Sequence, residues 1–444
     1  MGDSHDAAAP AAAPAQPAVS CIACGSSHSL ALVDTAEGSI VASWGRGEDG
    51  QLGHGDAEER LRPQAVFALL GAGITSVHCG AEYSVAVSAS RRETYAWGWA
   101  DFGRLGHGDC KDVFIPAPIP ALSGRAVASV SCGDTHTLVA TDAGELFTFG
   151  RNQNGQLGHG GLSDSLVPLQ VAALRGQRVT CVAAGAEHST CCTADGEVYS
   201  WGWGRYGNLG DGDTQDRHLP TRAGGLEGVA VARVACGWRH TLAVDAEGRL
   251  WSWGWSKYGQ LGHGDTRDQL LPKRVDALAG CAVAAVAGGW RHTLAADAEG
   301  RLFAWGWGLF GQLGLGACAD VCVPTLVAAL QGERVAQLAS GWKHTMVVTE
   351  AGRFYSWGRG VSGQLGRGDG ADSAVPLPLP DLSAGSVQVE ALRREAHPVV
   401  LMYQIPPGDR YAVVPDHADA DGGEGDGAAV PDADLGGAAK RHKS

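Results

Sequence analysis

The amino-acid sequence predicts an all-β protein, a seven-bladed β-propeller with disordered N- and C-terminal extensions. Three observations lead there. An aromatic-x-aromatic-Gly unit, with two variant copies at the start, ends at Trp44-Gly45, Trp97-Gly98, Phe149-Gly150, Trp201-Gly202, Trp253-Gly254, Trp305-Gly306 and Trp357-Gly358. The spacing between copies is 53 residues and then five times 52. A Gly-x-x-His-Ser/Thr series runs in step, with His28, His136, His188, His240, His292 and His344, and Tyr83 at the same place in the second repeat. Glycine supplies 66 of 444 residues without a collagen triplet, so tight turns must recur along the chain.

Each repeat reads as short strands. Apolar runs alternate, as in RVACGWRHTLAVDAEGRLWSWGW (233–255), and Glu247-Gly248 or Asp195-Gly196 separates two such runs as a hairpin signal. No segment keeps a helical period. Seven units of about four strands are what a propeller requires. Residues 387–403 resemble half a repeat and are expected to complete the blade begun near residue 20. The domain reading is therefore an Ala/Pro-rich extension over 1–20, a propeller over 21–404, and an acidic tail over 405–444. That tail holds one apolar island at 411–416, with Tyr411, Val414 and Pro415, and a basic end at 440–443.

Composition excludes several functions. The net charge of −14 argues against strong direct nucleic-acid binding, which needs clustered Lys and Arg. No run of 18 apolar residues offers a membrane span. The start lacks the basic n-region of a secretion signal, so a soluble protein of the cytoplasm and nucleus is expected. The 12 cysteines are then expected as thiols, and Cys24, Cys79, Cys132 and Cys236, at one repeat position, read as core packing. Cys21-x-x-Cys24 lacks a second pair at zinc spacing, so no metal is expected. GRGEDG, GWGRYG and GWGLFG match a dinucleotide fingerprint, but they recur in register and lead into strands, so they read as turns. The repeating His residues read as hydrogen-bonding groups inside the blades, and the Trp of each Trp-Gly as blade core. No nucleophile, base and orienter set breaks the pattern, so an enzyme is not expected, nor any cofactor.

Function should lie where the copies differ. Between Gly and His the repeats read Ser26-Ser27, Ala81-Glu82, Asp134-Thr135, Ala186-Glu187, Trp238-Arg239, Trp290-Arg291 and Trp342-Lys343. After Trp-Gly, Glu48, Asp49 and Asp101 come early, then Arg151, Arg205 and Lys257. One face is thus acidic on one half and basic on the other, which is self-complementary under a two-fold rotation and predicts a homodimer. Trp beside Arg permits cation–π contact, and Trp99, Trp203, Trp255, Trp307, Tyr206, Tyr258, Phe102 and Phe310 fall nearby by register. Such a set is either a binding hot spot or an array of indoles absorbing near the ultraviolet-B edge.

GWRHT at 237–241 and 289–293, GWKHT at 341–345 and YAVVPD at 411–416 sit within repeats that resemble the regulator-of-chromosome-condensation family. Within it, the chain is similar to the plant and algal ultraviolet-B photoreceptors. The resemblance implies a dark homodimer without external chromophore, in which light absorbed by Trp238, Trp290 and Trp342, with Trp99 from the opposite subunit, breaks salt bridges. Asp101, Asp112 and Glu187 would meet Arg291, Arg151 and Lys343, with Glu48, Arg205 and Arg239 adding to the interface. The monomer would bind an E3 ubiquitin ligase of photomorphogenesis through Tyr411, Val414 and Pro415, and a negative-regulator propeller protein is a further implied partner. Lys343 departs from the usual Arg, losing a bidentate fork. The alternatives are a guanine-nucleotide exchange factor for a small GTPase, as in the family's founding member, and a generic propeller scaffold.

Overall fold

In a computed structural model of the chain, residues 18–382 and Leu392 are described. They form seven four-stranded antiparallel sheets, each built from four strands consecutive in sequence, over 18–65, 76–118, 127–170, 179–222, 231–274, 283–326 and 335–378. The first strands of successive blades pack against one another around the axis, and that of blade seven packs against that of blade one. The expected seven-bladed propeller is present. The first strand, Ala18–Cys24, opens three residues before the boundary read from composition. Blade one takes all four strands from 18–65, so it needs none from 387–403. Of that segment only Leu392 is described, buried with Val19, Trp44, Phe354 and Leu382 where blades seven and one meet. The island at 411–416 lies outside the described residues.

The repeat motif is an inter-blade fastener. Trp44, Trp97, Trp201, Trp253, Trp305 and Trp357 are fully buried, as expected of blade core. Each indole N–H donates to a backbone carbonyl of the preceding blade at 2.9–3.0 Å. The same carbonyl accepts from the Ser or Thr hydroxyl that follows the motif His, at 2.7–2.9 Å. That hydroxyl has spent its only proton, so it can only accept from the motif His of the blade before it. Five imidazoles therefore donate through Nε2, at 2.9–3.1 Å; His292 Nε2 lies 2.8 Å from Ser340 Oγ and 3.4 Å from Thr345 Oγ1, both in blade seven.

Tyr83 makes the seventh link, its hydroxyl donating to the His136 carbonyl at 2.7 Å and lying 2.9 Å from Thr137 Oγ1. The belt closes from His344 to Ser29. These histidines join blades rather than bond within them, which corrects the sequence expectation. The motif glycine follows from the same geometry: a Cβ on Gly237 would lie 2.0 Å from the His240 ring. Burial without a counter-charge holds all six imidazoles down to about 3.

Candidate functional site

In a four-stranded antiparallel blade, the turn after the first strand and the loop after the third lie at the same end. Both loops that vary between repeats therefore share one face. Backbone bonds fasten them together: Trp99 N–H donates to Glu82 O, Arg151 to Thr135 O, Trp255 to Arg239 O and Trp307 to Arg291 O, at 2.8–3.0 Å. The Trp-Gly glycine allows that approach. At Gly254 φ is +101°, and a Cβ would meet the Arg239 carbonyl at 2.7 Å.

On blades four to seven this face carries an aromatic array. Trp238 and Trp290 meet edge to face with centroids 5.5 Å apart, and Trp290 and Trp342 stack at 5.4 Å with planes 17° apart. A second row lies outside them: Trp203, Tyr206, Trp255, Tyr258, Trp307 and Phe310 follow in contact at 5.3–5.9 Å. The rows join through Trp238–Trp255 at 5.7 Å and Trp290–Trp307 at 5.4 Å. Guanidiniums lie over the inner rings, Arg239 at 3.8 Å from Trp238 and Arg291 at 3.8 Å from Trp290. Lys343 Nζ sits farther off, 5.1 Å from Trp290 and 5.0 Å from Phe310. Arg291 also donates to the Tyr258 hydroxyl at 2.9 Å. The Trp290 indole N–H is buried and has no hydrogen-bond partner among the described residues.

The other half carries the acids. Glu48 is exposed, and Asp101 opens a short turn after Trp99. Asp112 accepts the Ala100 N–H at 2.9 Å. Desolvation raises the Asp112 carboxyl, and Asp101 and Asp49 nearby raise it further. Glu187 raises its neighbour Asp134, which burial drives up to about 7 against the opposing pull of Arg104 and the Trp238 indole. Arg151 lies 4.7 Å over Phe102, and Arg205 is exposed.

One finding corrects the sequence reading here. The acidic half holds cations of its own. Arg46 pairs with Glu48 at 2.8 Å and Glu82 at 3.2 Å. Arg104, fully buried, lies 3.9 Å over Trp99 and donates to the Asp134 carbonyl at 3.0 Å. Arg104 was detectable: it replaces the Gln or Asn found at 51, 156, 208, 260, 312 and 364. Trp99 does not join the array within one chain, since its ring contact among the described residues is Arg104. Cys24, Cys79, Cys132 and Cys236 pack against the blade cores, as expected. With the motif glycines and the three inner indoles they also line an axial cavity of about 190 Å³. No group of three or more His, Cys, Asp or Glu among the described residues is placed to hold a metal.

A propeller with this repeat defines a class. The RCC1-like domain family matches residues 1–231 and 223–393, and the chain belongs to it. Its similarity to the ultraviolet-B receptor UVR8 of Arabidopsis thaliana is 48% identity over 419 residues, 93% of this chain and 94% of that protein. Human E3 ubiquitin-protein ligase HERC2 is 37% identical over 316 residues, 70% of this chain but 6% of that protein, so that likeness concerns the repeats alone. Among solved structures, human WBSCR16 superposes with a TM-score of 0.69 at 28% identity, covering 77% of this chain and 94% of that one.

Proposed function

We propose that the chain is an ultraviolet-B photoreceptor whose chromophore is its own indoles, Trp238, Trp290 and Trp342, with Trp99 supplied by a second copy. One observation carries this: two half-buried indoles in contact, each with a guanidinium 3.8 Å from its ring, on the half of the face where the cations lie. A cation–π contact contributes about 0.5–2 kcal/mol. Exciting the indole redistributes its π charge or moves an electron, and the neighbouring Arg loses that contact. The same Arg291 and Arg239 are the cations expected to pair across a dimer, so one absorption event weakens ring contact and salt bridge together.

In the dark state two copies associate face to face, Asp101, Asp112 and Glu187 against Arg291, Arg151 and Lys343, with Glu48, Arg205 and Arg239 contributing. The raised carboxyl of Asp112, crowded by Asp101 and Asp49, supports that reading, because partner cations would relieve the repulsion. The monomer signals in cytoplasm and nucleus by binding an E3 ubiquitin ligase through Tyr411, Val414 and Pro415, and a negative-regulator propeller protein is a second partner. No catalytic step is assigned to the chain. Nucleotide exchange on a small GTPase gains nothing from an indole array, which sets that alternative aside.

Size-exclusion elution before and after ultraviolet-B tests the proposal. A dimer that becomes a monomer on illumination in the parent, but not in Trp290→Phe, supports it. Identical elution of the illuminated and dark parent overturns it.

A further inference from the structure

Blade four breaks the repeat at a place the indole array does not use. Where first and second strands pair, one register position holds Ser129 and Ala140 in blade three, Arg233 and Val244 in blade five, Ala285 and Ala296 in blade six, and Gln337 and Val348 in blade seven. In blade four it holds Cys181 and Cys192. All 12 cysteines lie among the described residues, and no other two face each other across paired strands. Residues directly opposite in an antiparallel ladder have Cα atoms about 4.5–5.5 Å apart, within the span of about 4.4–6.8 Å that a disulfide bridges. Both side chains belong to one apolar cluster between blades four and five, with Val231 and Trp253; Cys181 Sγ donates to the Val234 carbonyl at 3.7 Å and Cys192 Sγ to the Ala232 carbonyl at 3.8 Å.

The two thiols are unlike. Cys192 is buried, while Cys181 is half-buried and lies near Arg233. The Cys192 side chain and the Arg233 cation bring Cys181 down to about 7 against its burial, while Cys192 is pushed the other way. A thiolate at the accessible position and a thiol shielded behind it is the arrangement of an attacking and a resolving cysteine.

We infer that Cys181 and Cys192 form a peroxide-responsive pair that closes a reversible cross-strand disulfide in blade four. The oxidant is a hydroperoxide. The Cys181 thiolate attacks its terminal oxygen, the S–O bond forms, the O–O bond breaks, and the alcohol or water leaves after taking a proton. Cys192 sulfur then attacks the sulfenic sulfur, the S–S bond forms, and the hydroxide that departs takes the Cys192 proton as water. Two thiols and one hydroperoxide give one disulfide, one alcohol or water, and one water. A dithiol reverses the step by exchange. This site goes beyond the photoreceptor reading and stands without it.

The full-length protein, reduced and kept dark, would be divided, one part treated with hydrogen peroxide, and both alkylated with N-ethylmaleimide in urea. Trypsin releases 179–205 as one peptide holding Cys181, Cys191 and Cys192. The reduced peptide should carry three labels and the oxidised peptide one, on Cys191, with dithiothreitol restoring three. Cys191→Ala should close the bridge as the parent does, whereas Cys192→Ser should stop at an oxidised Cys181. Fragment ions of the parent peptide locate the bridge even if Cys192→Ser fails to fold. Three labels after peroxide, a bridge that involves Cys191, or over-oxidation of Cys181 with Cys192 still labelled would each overturn the inference.

Discussion

Acidifying the protein in the dark should unfold it near pH 5, and the histidine belt sets the magnitude. His28, His136, His188, His240, His292 and His344 titrate near 3 when folded, against about 6.5 in the unfolded chain. Below pH 6.5 the unfolded chain takes up protons that the folded chain refuses until about pH 3. Stability is therefore whole above 6.5 and falls as pH drops through that window. At pH 5 each histidine costs the fold about 2 kcal/mol, or about 12 kcal/mol for the six.

Asp134 acts in the opposite sense. With its folded value raised to about 7, the folded chain binds the extra proton, and falling from pH 7 to pH 5 returns about 2–3 kcal/mol. For these seven groups the loss is about 9–10 kcal/mol, comparable to the whole stability of an ordinary domain, about 5–15 kcal/mol. His54 and His78, brought down by burial to about 4, add to it, while Glu82, Asp112 and Asp268, raised by burial, oppose it. Far-ultraviolet circular dichroism between pH 7.5 and 3.5 measures the transition. His188→Tyr removes one charging site while following the geometry of Tyr83, whose hydroxyl already makes the belt link. At pH 5 its loss relative to pH 7.5 should be about 2 kcal/mol smaller than the parent's. A parent still native at pH 4, or a variant with unchanged pH dependence, would refute the claim that buried neutral imidazoles hold the blades.

Raising salt should dissociate the dark dimer, because interfacial ion pairs are screened, and Arg291→Ala or Asp101→Asn with Asp112→Asn should give a monomer in darkness by size exclusion. Trp290→Phe should dimerise in the dark and stay dimeric under ultraviolet-B. Trp44→Phe should keep the photoresponse and instead lose about 1–3 kcal/mol of stability in urea titration, because it gives up the bond to Gln364 O and leaves a void. Val414→Ala with Pro415→Ala should abolish the light-dependent pull-down of the E3 ligase while leaving photomonomerisation intact.

The propeller was legible because it is written seven times. A 52-residue period, a glycine at each turn and an aromatic before it survive any single error of reading. The indole array was legible for the related reason that Trp238, Trp290 and Trp342 occupy one position of that period. What escaped was contact between different positions. The motif His meets a hydroxyl from the next blade, a partner about 53 residues away, and no local pattern separates that from a bond within the blade. Arg46 and Arg104 escaped because signs were compared at two loop positions only. Cys181 and Cys192 escaped because register across a strand pair, not spacing along the chain, makes them neighbours.

The two halves of the face are compensated in different ways. On the acidic half, Arg46 bonds Glu48 and Glu82, and buried Arg104 pulls against the burial that holds Asp134 and Asp112 up. The internal cations only partly offset that burial, so a partner's cations would stabilise the ionised acids further. On the basic half, aromatic rings accompany the guanidiniums: Arg239 over Trp238 and Trp203, Arg291 over Trp290 and near Tyr258. Each ring lies within cation–π distance of its guanidinium, so a change in the indole's charge is felt by the same groups proposed to meet an acidic partner. On the proposed reading this asymmetry is what makes the complex switchable. The balance then turns on the one component that absorbs light, because the ring that holds Arg291 in place is the ring that is excited.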